Sequence, residues 1–154
     1  MARTATNTVI ALQYNEVEAA RPVYERPAAD GNILPGHLLV LASDGDVDSF
    51  VSAAATSVQP MVALANQYAD AVTAGANLTT AFTAGELVPY IYPQPGDCVY
   101  LLVGASASIA IGDQIETGAN GLVQERTTGQ RIGVAEEAVT TGAGETARVK
   151  VRIG

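Results

Sequence analysis

From Leu87 to Ile153 the chain is a succession of short β-rich runs cut by turn signals, and this cadence restricts the fold more than any other feature. The runs are ELVPYIY, CVYLLV, IAIGDQIETGANGLVQ, RIGVAEEAV and ARVKVRIG. Val, Ile and Tyr suit a pleated, half-buried surface. Pro95-Gly96-Asp97 and Gly118-Ala119-Asn120-Gly121 supply tight reversals between strands. The pattern predicts a mainly β fold. No spaced pair of catalytic groups sits on the turns, which points to a protein that binds or assembles.

The last strand has the clearest pattern. Arg148, Lys150 and Arg152 alternate with Val149, Val151 and Ile153. A period of two puts three cations on one face and three β-branched residues on the other. The cations form either a solvated face paired with Glu136 or Glu137, or a strip that docks on an acidic neighbour. Gly96-Asp97 is echoed by Gly112-Asp113. Two copies are too few for a solenoid and suggest two equivalent corners of one barrel.

The first half is less regular. Leu38–Ala42 reads as a short strand, followed by a hairpin-type turn at Ser43-Asp44-Gly45-Asp46. Residues 67–83 read as an irregular excursion, although composition alone allows a helix over Val62–Ala74. Residues 1–32 differ again. Pro22 and Pro27 block regular helix and cannot donate to a sheet ladder, as does Pro35 just beyond. This stretch is either disordered or an extended arm that orders on a partner. Its apolar residues Val9, Ile10, Leu12, Tyr14, Val17, Val23 and Tyr24 favour the partner. The division is therefore an arm, 1–32, and a β domain, 33–154.

Composition narrows the possible partners. The 154 residues carry a net charge of −8, with a single lysine, Lys150. Such a surface repels phosphate backbones and anionic membranes, so neither nucleic acid nor membrane is expected as a partner. There is no Trp and there are only two Phe. An alanine-rich core is thin for its length, which favours an oligomer that buries further surface between subunits. The N-terminus has no continuous apolar signal region, and Cys98–Gly112 is too short and interrupted to span a bilayer. The expectation is a soluble protein made in a cytoplasm.

Candidate chemistry is sparse. Asp44-Gly45-Asp46-Val47-Asp48 starts like a calcium loop, but Ser49 and Ala55 stand where an EF-hand needs Gly and Glu. His37 is the only histidine and Cys98 the only cysteine, and Cys98 falls in a strand as a buried thiol. His37, after Pro35-Gly36, reads as a residue at the start of a strand. Glu136 and Glu137, on adjacent strand positions, should face opposite ways. Gly142-Ala143-Gly144-Glu145 lacks the residues of a phosphate loop and reads as a flexible connection. No catalytic, metal or cofactor site is expected.

The order of the motifs carries a resemblance. Ile33–Val40, Ser43–Val47, Pro60–Asn66, Phe82–Val88, Pro95–Tyr100, Ile109–Asp113, Gly133–Val139 and Arg148–Ile153 follow one another. Over residues 33–153 this order resembles the small capsid decoration, or cement, proteins of tailed bacteriophages. The chain departs from that pattern in its proline-broken N-terminal arm and in residues 67–80. The resemblance implies a small β-barrel or β-tulip-like domain. It also implies a homotrimer that binds the major capsid protein on the outer surface of the assembled head and holds it against the pressure of packaged DNA. On this view Val9, Ile10, Leu12, Tyr14 and Tyr24 contact capsid or a neighbouring subunit. Val88, Tyr90, Tyr92, Val99 and Leu101 serve core or trimer packing. Arg148, Lys150 and Arg152 form a possible docking strip. The rival reading is a virion-surface adhesin whose Tyr90 and Tyr92 stack on sugars; an enzyme is disfavoured by the single His and single Cys.

Overall fold

The computed structural model describes residues 22–69 and 72–154. Among these residues the chain is almost all β. The elements are β1 (Tyr24–Pro27), β2 (Leu39–Leu41), β3 (Val47–Ser49), β4 (Val62–Ala63), one helical turn α1 (Ala76–Thr79) and β5 (Leu87–Ile91). They continue with β6 (Cys98–Val103), β7 (Ser108–Ile109), β8 (Gln114–Thr117), β9 (Val123–Glu125), β10 (Gly133–Ala135), β11 (Val139–Thr140) and β12 (Ala147–Ile153).

Five strands close into a barrel in the order β10-β12-β6-β9-β8, with β8 returning to β10. All its pairings are antiparallel except β6 with β9. The β8–β9 hairpin turns on Asn120 and Gly121, both at positive φ (56° and 76°), a geometry that follows the right-handed twist of the strands it joins. Closure leaves no bare edge within the barrel. Val99, Leu101, Val103, Ile115, Val149 and Val151 fill it, all fully buried. The expected mainly β fold with a small barrel is what the chain adopts.

A second sheet, β1-β5-β4, lies against the barrel, with the β2–β3 hairpin beside it. Its strands serve two cores at once. Ile91, Val62 and Leu38 point into the barrel core, whereas Val88, Tyr90, Ala63 and Leu39 point into a second core with Ile33, Val47 and Phe82. Successive side chains on a strand alternate faces, so the apolar runs Val88–Ile91 and Leu38-Leu39 are what a wall buried on both sides requires.

Five of the turns share one construction: Leu34–His37, Thr83–Glu86, Gln94–Asp97, Ala110–Asp113 and Gly142–Glu145. In each, the fourth residue's N–H donates to the first residue's carbonyl. The third residue is a glycine at φ between 77° and 96°, as a type II turn demands. The fourth side chain accepts the first residue's N–H, at 2.7 to 3.2 Å. Every one of these turns feeds a strand. The Gly-Asp echo seen in the sequence is two of the five, and both enter barrel strands. Gly142–Glu145 is thus a closed turn of this kind.

Three expectations need correction. The boundary at residue 32 does not hold, because β1 pairs with β5 from Tyr24↔Tyr90 to Pro27↔Leu87, and Ala28 is buried. In place of the helix allowed over Val62–Ala74, residues 62–69 and 72–74 hold β4 and turns. Glu136 and Glu137 follow β10 in a bend, so the alternation of a strand does not apply to them. The irregular excursion is anchored at its base by buried Asn66. The Asn66 amide donates to the Thr80 and Ala81 carbonyls and its oxygen accepts the Tyr68 N–H. Leu78 and Phe82 carry the excursion into the two cores.

Barrel closure depends on the bare backbone of Gly133. A Cβ there would overlap the Arg152 carbonyl and lie 2.7 Å from Val151 Cγ1. Gly133→Ala should lose roughly 2–3 kcal/mol of unfolding free energy, the cost of overpacking a tight core site. Gly104→Ala, whose Cβ would meet only the end of the flexible Leu122 side chain at 3.2 Å, should lose less than about 1 kcal/mol. Urea titrations of both variants measure the difference.

Candidate interaction site

The sequence points to three groups of residues. Of the arm residues, Val9, Ile10, Leu12 and Tyr14 lie outside the described residues. Tyr24 lies on β1, opposite Tyr90, and its ring stacks on Tyr90 at 5.7 Å between centroids. Tyr92 meets both edge-on, at 5.5 and 5.8 Å. Tyr90 is 3% exposed and Tyr24 46%. The cluster is therefore an aromatic seal over the second core with one open flank, that of Tyr24. Tyr90 has no face left for a sugar. Val88, Val99 and Leu101 are wholly buried within one chain, so their packing is core packing.

The open flank of Tyr24 coincides with a sheet edge. Leu64 N–H donates to the Pro89 carbonyl, so Pro89 and Ile91 direct their backbone groups to β4 while Val88 and Tyr90 direct theirs to β1. By the same alternation Tyr24 and Arg26 face β5, Val23 and Glu25 face outward, and Pro27 faces β3, which joins this edge through the bridge between Ala28 and Val47. Pro27 loses nothing there, since the N–H it lacks would point away from the sheet. Val23 is 55% exposed beside this edge.

The cationic face of β12 is largely neutralised. Lys150 Nζ lies 3.3 Å from Glu136 Oε2, and Arg152 pairs with Glu136 Oε1. Glu137 Oε1 accepts the backbone N–H of Lys150 at 2.9 Å. The buried thiol of Cys98 lies 3.3 Å from Glu136 Oε2. Burial, then the hydrogen bond and charge of Glu136, push the thiol's pKa up, so it stays a protonated donor. Burial pushes the Glu136 carboxyl upward as well, but the Cys98 and Lys150 hydrogen bonds and the two cations outweigh it and hold the carboxyl low. Arg148 leaves the strip altogether. Its guanidinium turns inward to the Pro35 and Leu78 carbonyls, and its Nε is buried without a partner.

Two buried ionisable groups escaped the sequence reading or were underrated by it. Glu116 is fully buried on β8. It accepts Gln124 Nε2 at 2.8 Å, the Thr127 hydroxyl at 2.9 Å and the Gly129 N–H at 2.5 Å. Burial raises its pKa, yet these donors prevail and keep it ionised below the usual carboxylate range. No local signal marks it, because its donors come from β9 and the loop after it. His37 sits where the barrel meets the second sheet. Its Nδ1 accepts the Leu34 N–H at 3.2 Å, and its backbone carbonyl accepts the Ala63 N–H. Burial, and then the charge of Arg148, lower its pKa to about 4. All these groups hold chain segments together, and no three metal-ligating side chains converge among the described residues.

No protein-family model and no curated protein sequence matches the chain. Among solved structures, it is similar to the crystal structure of the N base of head fiber gp8.5 in bacteriophage phi29. The TM-score is 0.56 at 17% identity, over 86% of this chain and 93% of that one. At that identity the likeness is one of fold. It spans both the barrel and the second sheet, since it covers most of each chain.

Two predictions follow from the buried groups. Unfolded, His37 takes its proton near pH 6.5; folded, only near 4. Between these values the unfolded chain holds the extra proton, so stability falls as pH drops from about 6.5 and this loss levels off below about 4. The loss is on the order of 3 kcal/mol, and His37→Asn should be nearly flat from about pH 6.5 to 5 in denaturant titrations. Glu116→Gln should lose about 2 kcal/mol, because an amide nitrogen cannot accept the Gly129 N–H; thermal unfolding at neutral pH measures it.

Proposed function

We propose that this chain is a non-enzymatic structural protein of a bacteriophage head, attached to the outer surface of the assembled shell as a homotrimer that stabilises it. The observation that carries the reading is the fold likeness to a head fiber base, reached independently of the motif order that resembles capsid decoration proteins. The interior supports it. Among the described residues, the buried polar groups are tied to backbone and loops, and none is aimed into a cleft with a catalytic partner. A net charge of −8 suits a particle surface that must stay dispersed.

The attachment is multivalent. A trimer touching several capsid subunits gains effective concentration with each contact, so weak patches sum to firm binding. Because it binds the built shell and not loose capsid protein, it stabilises the shell by linkage. Val9, Ile10, Leu12 and Tyr14 in the N-terminal segment, and Tyr24 on the domain itself, are the contacts proposed to capsid or to a neighbouring copy. The major capsid protein is the partner.

The test is co-sedimentation of the purified protein with undecorated heads, followed by heating. The expected result is saturable binding and release of packaged DNA at a higher temperature. Free protein left in the supernatant at micromolar concentration, with no change in the temperature of DNA release, overturns the reading.

A further inference from the structure

We propose that the outer edge of β1 is a docking strip for residues 8–14 of a neighbouring copy, which add a strand to the β1-β5-β4 sheet. The proposal builds on the oligomer in the reading above and names the contact that would hold it.

The edge is built for such an addition. Val23 and Glu25 direct their backbone N–H and carbonyl groups outward, up to Pro27, where β3 joins the edge through the bridge between Ala28 and Val47. Pairing here satisfies a bare row that natural sheets otherwise cover or blunt. Next to the row lies the open flank of Tyr24, with 46% of its surface exposed over an otherwise sealed aromatic cluster. The edge thus offers both halves of strand recognition, a backbone ladder and a side-chain platform.

The chain carries a segment that matches. The sequence Thr8-Val9-Ile10-Ala11-Leu12-Gln13-Tyr14 is rich in residues that favour strands. Ile10, Leu12 and Tyr14 recur with a period of two, so as a strand they share one face and would cover Tyr24. Residues 4–15 hold no charge, in a chain whose net charge is −8. Two copies that repel one another through their surfaces can therefore meet along this segment without adding to the repulsion.

The experiment combines light scattering with amide hydrogen exchange on the free protein. Three forms are compared: the full chain, a deletion of residues 2–15, and the full-length variant Leu12→Asp. In the full chain an oligomeric mass is expected, with the outward amides of Val23 and Glu25 exchanging at least about tenfold slower than in the deletion. The deletion and Leu12→Asp should both be monomers with fast exchange at Val23 and Glu25. Continued protection of β6 and β12 amides shows that each form is folded. Fast exchange at Val23 and Glu25 in the full chain overturns the proposal. Slow exchange that survives the deletion overturns it too, since another segment then covers the edge. Slow exchange lost without any change in mass also overturns it, because the segment then docks on its own β1. All these readings are made without heads, so failure to decorate heads bears on the proposed function and leaves the strand exchange standing.

Discussion

A thin wall of chain that has to be apolar on both faces governs this molecule. β4, β5 and the Leu38-Leu39 segment stand between two cores and give alternate side chains to each. An alanine-rich chain with no Trp and two Phe cannot fill one large core. Splitting the apolar residues between two small cores that share a wall lets modest side chains be wholly enclosed. Ile91 and Val62 seal the barrel from outside while their neighbours Tyr90 and Ala63 seal the second core. The same wall explains why Pro89 is tolerated in the middle of a sheet. Its carbonyl accepts from Leu64, and every other residue of β5 keeps its donor.

Where two cores share a wall, the chain must also cross between them, and the crossing is polar backbone. Around residues 36–38 it is fully paired. Gly36 N–H reaches the Ala63 carbonyl, Leu38 N–H reaches Gly121, and Leu102 N–H reaches Gly36. The approach is close enough that a Cβ on Gly36 or Gly121 would come within 2.9 Å of a carbonyl oxygen. His37 and Arg148 sit in this seam and supply what backbone alone cannot. Neutral His37 closes its own turn, and Arg148 ties the Pro35 carbonyl to the excursion that ends in Leu78 and Phe82. Buried polar groups of this kind are tolerable only when satisfied. Glu116 meets that condition with three donors; Arg148 falls one short at Nε.

The parts of the fold legible in the sequence were those encoded locally. The terminal strand shows its period of two, and ladders with β6 and β10 keep Val149, Val151 and Ile153 inside as expected. The Asn120-Gly121 reversal follows from turn chemistry alone. What remained hidden depends on distant partners. β1 carries a proline and reads as arm, because only its place at a sheet edge makes Pro27 harmless. Glu116 looks like any strand glutamate until Gln124 of β9 and the loop that follows, as far as Gly129, close over it. The cations of β12 look like a free strip, because nothing nearby says that Arg148 will be drawn inward or that Glu136 will bend back to Lys150 and Arg152.

These internal pairings bear on where the molecule can meet others. Charges spent on one another, and tyrosines stacked on one another, contribute little to an outside surface, so the β12 face and Tyr90 are poor places to look for recognition. Along β1, what stays unspent among the described residues is the outward backbone of Val23 and Glu25 and the flank of Tyr24. A barrel has no edges to offer, and the second sheet has one where β4 is already joined to Leu38 by a bridge. On β1 itself, β3 already joins at Ala28, so the stretch of that edge where further strand can be added without breaking a bond already made is Val23 and Glu25. Attachment through such an edge draws on hydrogen bonds that any extended segment can supply, with specificity left to the few side chains beside it.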